Sequence, residues 1–291
     1  MDQRWNNSPM TSRRQFLQAA TIAAFTSAAR AAHLKTLGVQ LYTVRTLMPV
    51  KPEETLKAIR AIGYQEVEAT WDNFDKIFPM MKPAGLNAVS MHVNNKLMTR
   101  TVDEMSRVVE MLKGWDFKYA VHPYVPAEDR GGADVMKKMA DQLNLFGEKC
   151  RAVGIKAAYH NHAFEGASAG DKTLFQILID NTDKNLVGFE LDCFWLSVQG
   201  ADPAQMIERL SGRVPLLHLK DKAHGTPRRF DENVPTTAFK EVGSGALDWP
   251  TILKAAAAAK VEHYFVEQDQ TPGDPLESIK QSYKYLSKLN Y

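Results

Sequence analysis

Two histidines one residue apart end an apolar run in this chain, in the stretch Ala157-Ala158-Tyr159-His160-Asn161-His162-Ala163-Phe164-Glu165. In the period-2 geometry of a strand, His160 and His162 point to the same side. A short buried strand that turns abruptly into ligand-type side chains is how α/β enzymes present chemistry at a strand's carboxyl end. A single histidine is more often a packed residue than a ligand, so the pair gains meaning only if other runs end the same way. They do: Glu190 and Asp192 close one run, His218, Lys220 and Asp221 a second, and Glu267, Gln268 and Asp269 a third. Two imidazoles with two carboxylates suit one divalent ion of Mn²⁺, Zn²⁺, Co²⁺ or Fe²⁺ better than Ca²⁺ or Mg²⁺, which prefer oxygen shells.

The elements that must position these groups alternate. Strands are expected at residues 37–42, 66–69, 86–92 and 118–122, in the run leading into His160, and at 186–192, 214–221 and 263–267. Helical spacing is expected at 52–62, 74–81, 102–113, 133–153, 174–181, 203–210, 249–259 and 275–289. Eight strands alternating with helices, without a linker, predict an α/β chain whose residues 34–291 form a single (β/α)8 TIM barrel. In that fold the carboxyl ends of all strands share one mouth, so residues distant in sequence converge. An open doubly wound sheet is weakened because Gly38 stands alone where a Gly-rich phosphate loop would follow the first strand. Residues 222–247, with Gly225, Pro227, Gly243 and Gly245, are expected to be a loop over the mouth. Cys150 and Cys193 are too few for a disulfide framework and are read as free, packed residues.

Across 291 residues, 36 basic and 34 acidic side chains give a net charge of +2. That balance offers no footprint for nucleic acid, so none is expected as a partner. Residues 1–33 differ from the rest. Arg13-Arg14 precede an Ala- and Thr-rich apolar stretch, and Ala29, Ala31 and Ala32 provide small residues for cleavage. This is the pattern of a twin-arginine export signal, and it predicts a periplasmic or otherwise exported protein. The stretch is too short to span a bilayer, so stable membrane insertion is not expected once the signal is removed.

Gly38-Val39-Gln40-Leu41-Tyr42, Tyr159-His160-Asn161-His162, Leu217-His218-Leu219-Lys220-Asp221 and Phe265-Val266-Glu267-Gln268-Asp269 together resemble the sugar phosphate isomerase/epimerase family of xylose-isomerase-like TIM barrels. The resemblance covers the chain beyond residue 33. It implies a divalent metal held by one residue at the end of each of strands five to eight, which by position are His160, Asp192, His218 and Glu267. In the better-understood epimerases of this group the strand-five ligand is a glutamate, and two metal-bound glutamates exchange a proton on opposite faces of the sugar. Here position 160 is a histidine. Glu267 remains as a base beside the metal, and its counterpart is sought among His162, Glu165, Glu190 and Lys220. Lys220 could instead neutralise developing oxyanion charge. At the ends of the early strands, Gln40, Glu68, Trp71 and His92 suit sugar hydroxyls and the apolar face of a ring.

The expected function is a metal-dependent sugar isomerase or epimerase working by proton abstraction next to a carbonyl, with Glu267, His162 and Lys220 as its catalytic groups. The alternatives are elimination or hydration on a 3-keto-glycoside and a sugar-binding barrel without catalysis. The wider superfamily also holds metal-dependent endonucleases, a reading that the balanced charge and the export pattern oppose.

Overall fold

A computed structural model describes Met1 and residues 33–98 and 101–291; the twin-arginine pattern lies outside the described residues. The barrel unit runs from His33 to Tyr291. Its eight parallel strands are β1 (Gly38–Gln40), β2 (Glu66–Thr70), β3 (Asn87–His92), β4 (Tyr119–His122), β5 (Lys156–His160), β6 (Val187–Asp192), β7 (Leu216–Leu219) and β8 (His263–Val266). They close in the order β1-β8-β7-β6-β5-β4-β3-β2, and β1 completes the ring by pairing Gly38 with both Phe265 and Glu66. This is the (β/α)8 architecture expected from the alternation of elements. A Cβ at Gly38 would collide with the Phe265 ring, so only glycine lets that aromatic side chain fill the barrel floor.

Alternation along each strand decides what enters the barrel. On β7, Leu217 and Leu219 pack outward under the helices, while Leu216, His218 and then Lys220 face inward. Leu216 joins Val89, Tyr119, Val121, Ala158 and Phe265 in an apolar plug inside the barrel. On β6, Phe189 and Leu191 join the outer core, which leaves Glu190 and Asp192 inside and buried. Above the plug the interior is therefore polar. Strand β3 carries one extra residue: Ala88 pairs with Val67 and Ser90 with Glu68, so Val89 bulges and Ser90 and His92 are brought to the inner face.

Helices cover the outside. The amphipathic helix Ala133–Ala152 buries Met136, Met139, Ala140, Leu143, Phe146 and Cys150. Phe74–Ala84 accommodates Pro79 and Pro83 and runs past the expected stop at 81, ending where Gly85 adopts φ 74°. Both cysteines are free and buried. Among the described residues no helix is long and apolar enough to cross a membrane.

Two strands, β1 and β7, fall more than one residue short of their expected bounds, for local reasons. After Gln40 the chain turns into a 3-10 helix, Leu41–Val44, because the Gln40 side chain accepts the Tyr42 amide at 2.8 Å. After Leu219, residues Asp221–Lys222 leave the barrel and pair with Phe239–Lys240 in a small antiparallel ribbon. The Asp221 carboxylate then accepts the amides of Gly243, Gly245 and Leu247 and the Trp249 indole N–H, so it organises the long segment after β7.

Candidate metal centre

Four donor atoms meet at the ends of β5 to β8: His160 Nε2, Asp192 Oδ2, His218 Nδ1 and Glu267 Oε2, all within 4.8 Å of one another. Each ligand is fixed by a partner on its other side. His160 Nδ1 donates to the Pro123 carbonyl at 3.1 Å, which leaves Nε2 as a lone pair facing the centre. Asp192 is the N-cap of the helix Cys193–Gln199: Oδ1 accepts the Trp195 amide at 2.8 Å, while the buried Oδ2 has no hydrogen-bond partner. Its backbone amide is held in turn by Asn161 Oδ1 at 3.0 Å. His218 Nε2 lies 2.6 Å from Glu68 Oε2, so the proton sits on Nε2 and Nδ1 faces the centre.

The spacing of these atoms fits a bound cation. Ligands about 2.1 Å from a tetrahedral ion stand about 3.4 Å apart. Here His160–His218 is 3.1 Å, His218–Glu267 is 3.1 Å, His160–Asp192 is 3.4 Å and His218–Asp192 is 3.7 Å. Two imidazole lone pairs at 3.1 Å repel unless a cation or a proton lies between them. Without a metal the proton is the only recourse: burial opposes charging His218, but Glu190, Glu267 and Glu68 outweigh it and hold its pKa well above the usual range. Glu68 and Glu190 are answered by His92 and His218, whereas Asp192, Glu267 and the neighbouring Asp269 have one ammonium, Lys220, between them, a charge excess that a divalent ion relieves.

A second group, Glu68, His92, Glu190 and His218, also gathers four donors within 4.8 Å. Its spacings are those of hydrogen bonds: His92 Nε2 is 2.8 Å from Glu190 Oε2 and 2.9 Å from Glu68 Oε2, and His218 is 2.6 Å from Glu68. Burial alone would lower the His92 pKa, yet Glu68 and Glu190 raise it to about 9, so a proton fills this group. Gln40 and Ser90 complete the Glu68 surroundings, donating at 3.0 and 2.6 Å. The lower group is thus a hydrogen-bonded cradle under His218, and the upper one has the geometry of a metal site.

Lys220 sits beside the upper group, 3.0 Å from Glu267 Oε2, 3.4 Å from Asp192 Oδ2 and 2.7 Å from Asp269 Oδ1, below the rings of Phe194, Trp195 and Phe239. Burial works against its charge, but Asp192, Asp269 and Glu267 outweigh it and hold the ammonium well above the ordinary lysine range. Burial, helped by Glu267, pushes Asp269 up to about 6 despite Lys220. Burial, with His160 and Lys220 adding to it, keeps His162 well below the usual imidazole value, and its buried Nδ1 is unpartnered.

Of the residues singled out in the sequence, His160, His162, Trp71, His92, Lys220 and Glu267 line one cavity of about 1100 Å³. Gln40 and Glu68 do not line it; they are fully buried beneath it and bonded to each other. Glu165 is also out of reach of the cavity, accepting the Tyr159 hydroxyl at 2.7 Å and the His162 amide at 3.0 Å. Asp269, Trp195, Phe239 and the loop residues Glu232, Val234 and Thr236 line the cavity as well. The loop over the mouth was expected, but which of its residues face inward depends on how Asp221 folds it.

The chain belongs to the xylose isomerase-like TIM barrel family, whose sequence profile matches residues 56–289. It is similar to the inosose dehydratase of Clostridium perfringens, with 30% identity over 162 residues, or 52% of this chain and 54% of the relative. The chain therefore spans about half the length of the curated relatives it matches. Among solved structures, a sugar phosphate isomerase/epimerase from Parabacteroides distasonis shares the fold at 21% identity and a TM-score of 0.73, covering 90% of this chain and 98% of that one. The IolI protein with a bound zinc atom shares it at 16% identity and a TM-score of 0.66, over 86% of this chain and 95% of that one.

Proposed function

We propose that this chain is a metal-dependent enzyme that removes a proton from the carbon next to a sugar carbonyl, as an isomerase or epimerase. The observation that carries this reading is the convergence of His160, Asp192, His218 and Glu267, of which His160 and Glu267 reach a cavity that His162 and Lys220 also line while Asp192 and His218 lie fully buried behind them. A divalent ion held there supplies a Lewis acid for the carbonyl oxygen, with Mn²⁺, Zn²⁺, Co²⁺ and Fe²⁺ all compatible with the donors. Glu267 comes from β8 and His162 follows β5, so the two flank the site from arcs of the barrel separated by β6 and β7. A neutral imidazole and a carboxylate then take the places that two carboxylates hold in the two-glutamate epimerases. Lys220 steadies negative charge developing on substrate oxygen, and the Phe194, Trp195 and Phe239 rings keep water from it. The Arg13-Arg14 pattern supports export of the protein by the twin-arginine route.

A second reading is elimination after the same first step. It is favoured by the histidine at position 160, which leaves Glu267 as the one carboxylate of the four-donor group on the β5 and β8 arcs, and by the similarity to an inosose dehydratase. Lys220 or Asp269 would then return a proton to the departing oxygen.

Incubating metal-loaded protein with keto sugars and an inosose in D₂O separates the two. Deuterium at the α-carbon of a product that keeps all its substituents supports isomerisation or epimerisation. Loss of water or an aglycone supports elimination. No exchange with any of the panel contradicts proton abstraction and favours a binding protein.

A further inference from the structure

The segment after β7 borders the cavity with both of its ends pinned. Before it, the Arg229 amide donates to the Val198 carbonyl at 3.0 Å; after it, the Ala238 carbonyl accepts the Ala223 amide at 2.8 Å. Between these anchors the alternate residues Glu232, Val234 and Thr236 line the cavity, and Val234 packs against the cluster that holds Trp195 and Phe239. Among the described residues, Arg130–Glu232, at 2.6 Å, is the single hydrogen bond or ion pair tying residues 230–237 to the barrel. The others are local. Asp231 accepts from the Asn233 amide and the Arg229 guanidinium, and the Glu232 carbonyl accepts the Val234 amide.

Arg130 is set in place without this segment. Its Nε donates to the Val125 carbonyl at 2.9 Å, and its guanidinium lies over the Phe164 and Tyr124 rings at 4.3 and 5.2 Å. Glu232 comes to it with one oxygen only. That leaves the buried Glu232 Oε1 and Arg130 Nη2 without partners, a cost that offsets much of what the pair contributes. A segment fastened by one such pair and one partly buried valine opens locally at little cost. We propose that residues 230–237 are a strap that swings off the cavity to admit substrate, and that Arg130–Glu232 is its clasp. The inference rests on the proposed function only for what the strap admits.

The test is the distance between two nitroxide labels on the full metal-loaded chain, at Asn233→Cys in the strap and Lys57→Cys on the helix Pro52–Ile62. Both positions are exposed and both native cysteines are buried, so only the introduced thiols react. One distance is expected with the clasp intact. Arg130→Met and Glu232→Gln should each add a second distance in at least about half the molecules, since losing a charged hydrogen bond shifts such a balance about 10- to 100-fold. The double variant should open no further than either single one, because all three remove the same contact. Dipicolinate, a chelator the size of a sugar ring, should strip Zn²⁺ at least about tenfold faster from each variant, at unchanged Zn²⁺ affinity. The same distances in wild type and variants, additive opening, an unchanged stripping rate, or faster loss with weakened affinity overturns the inference. A wild type that takes up no Zn²⁺ sinks the metal-dependent reading alone, and the distances then decide the strap.

Discussion

His218 Nε2 lies 2.6 Å from Glu68 Oε2, a carboxylate delivered from the far side of the barrel, while His218 Nδ1 faces Asp192 and Glu267. One imidazole thus joins the buried cradle to the metal end. A charged acceptor on the outer nitrogen fixes the tautomer and makes the inner nitrogen a stronger donor to a metal. Glu68→Gln should weaken Zn²⁺ binding about 10- to 100-fold, measured by competition with a chromophoric chelator. Unchanged affinity would mean that Glu68 does not orient His218.

Lys220 places an ammonium 3.4 Å from Asp192 and 3.0 Å from Glu267, so it repels a cation bound between them. In the proposed chemistry it acts on substrate oxygen instead. Lys220→Met should lower kcat by about 100-fold or more while metal affinity stays the same or rises. A variant that loses its metal would assign Lys220 to building the site.

Glu165 carries the clearest pH signature away from the ligands. Burial pushes its carboxyl up to about 7, against the hydrogen bonds from Tyr159 and the His162 amide. A carboxyl with a raised folded-state pKa favours the folded state while protonated. That stability is fully present below the unfolded value near 4.5 and is lost as pH rises through about 7. Between pH 5 and 8 the metal-loaded protein should lose about 2.5 kcal/mol through this group, a loss that Glu165→Gln lacks. Denaturant titrations of both proteins at the two pH values make the comparison, and parallel losses would contradict it.

The barrel was legible because its strands end in polar residues at period-2 positions. Once Leu217 and Leu219 face out, His218 and Lys220 must face in, and the same holds for Glu190 and Asp192 about Leu191. What sequence could not supply was height along the barrel axis. Gln40 and Glu68 stand at strand ends like His92, but register sets them below the cavity, where Gln40 is bonded to Glu68 and Glu68 to His218. The bulge at Val89, which brings Ser90 under Glu68, has no signal in the local residue pattern. Asp221 looked like a mouth residue from its place after Lys220. Its carboxylate instead binds amides up to 26 residues away, contacts that exist only once the loop is folded. Asp269, two residues past Glu267, was visible, but only Lys220 beside it reveals its place in the site.

The central claim is that a divalent ion sits among His160, Asp192, His218 and Glu267 and not in the lower group. Metal content per chain after reconstitution and desalting tests it most directly, compared across wild type, Asp192→Asn and His92→Asn. About one ion per chain is expected in wild type and in His92→Asn, and almost none in Asp192→Asn. An empty wild type, or an ion that survives loss of Asp192 and disappears with His92, would contradict it.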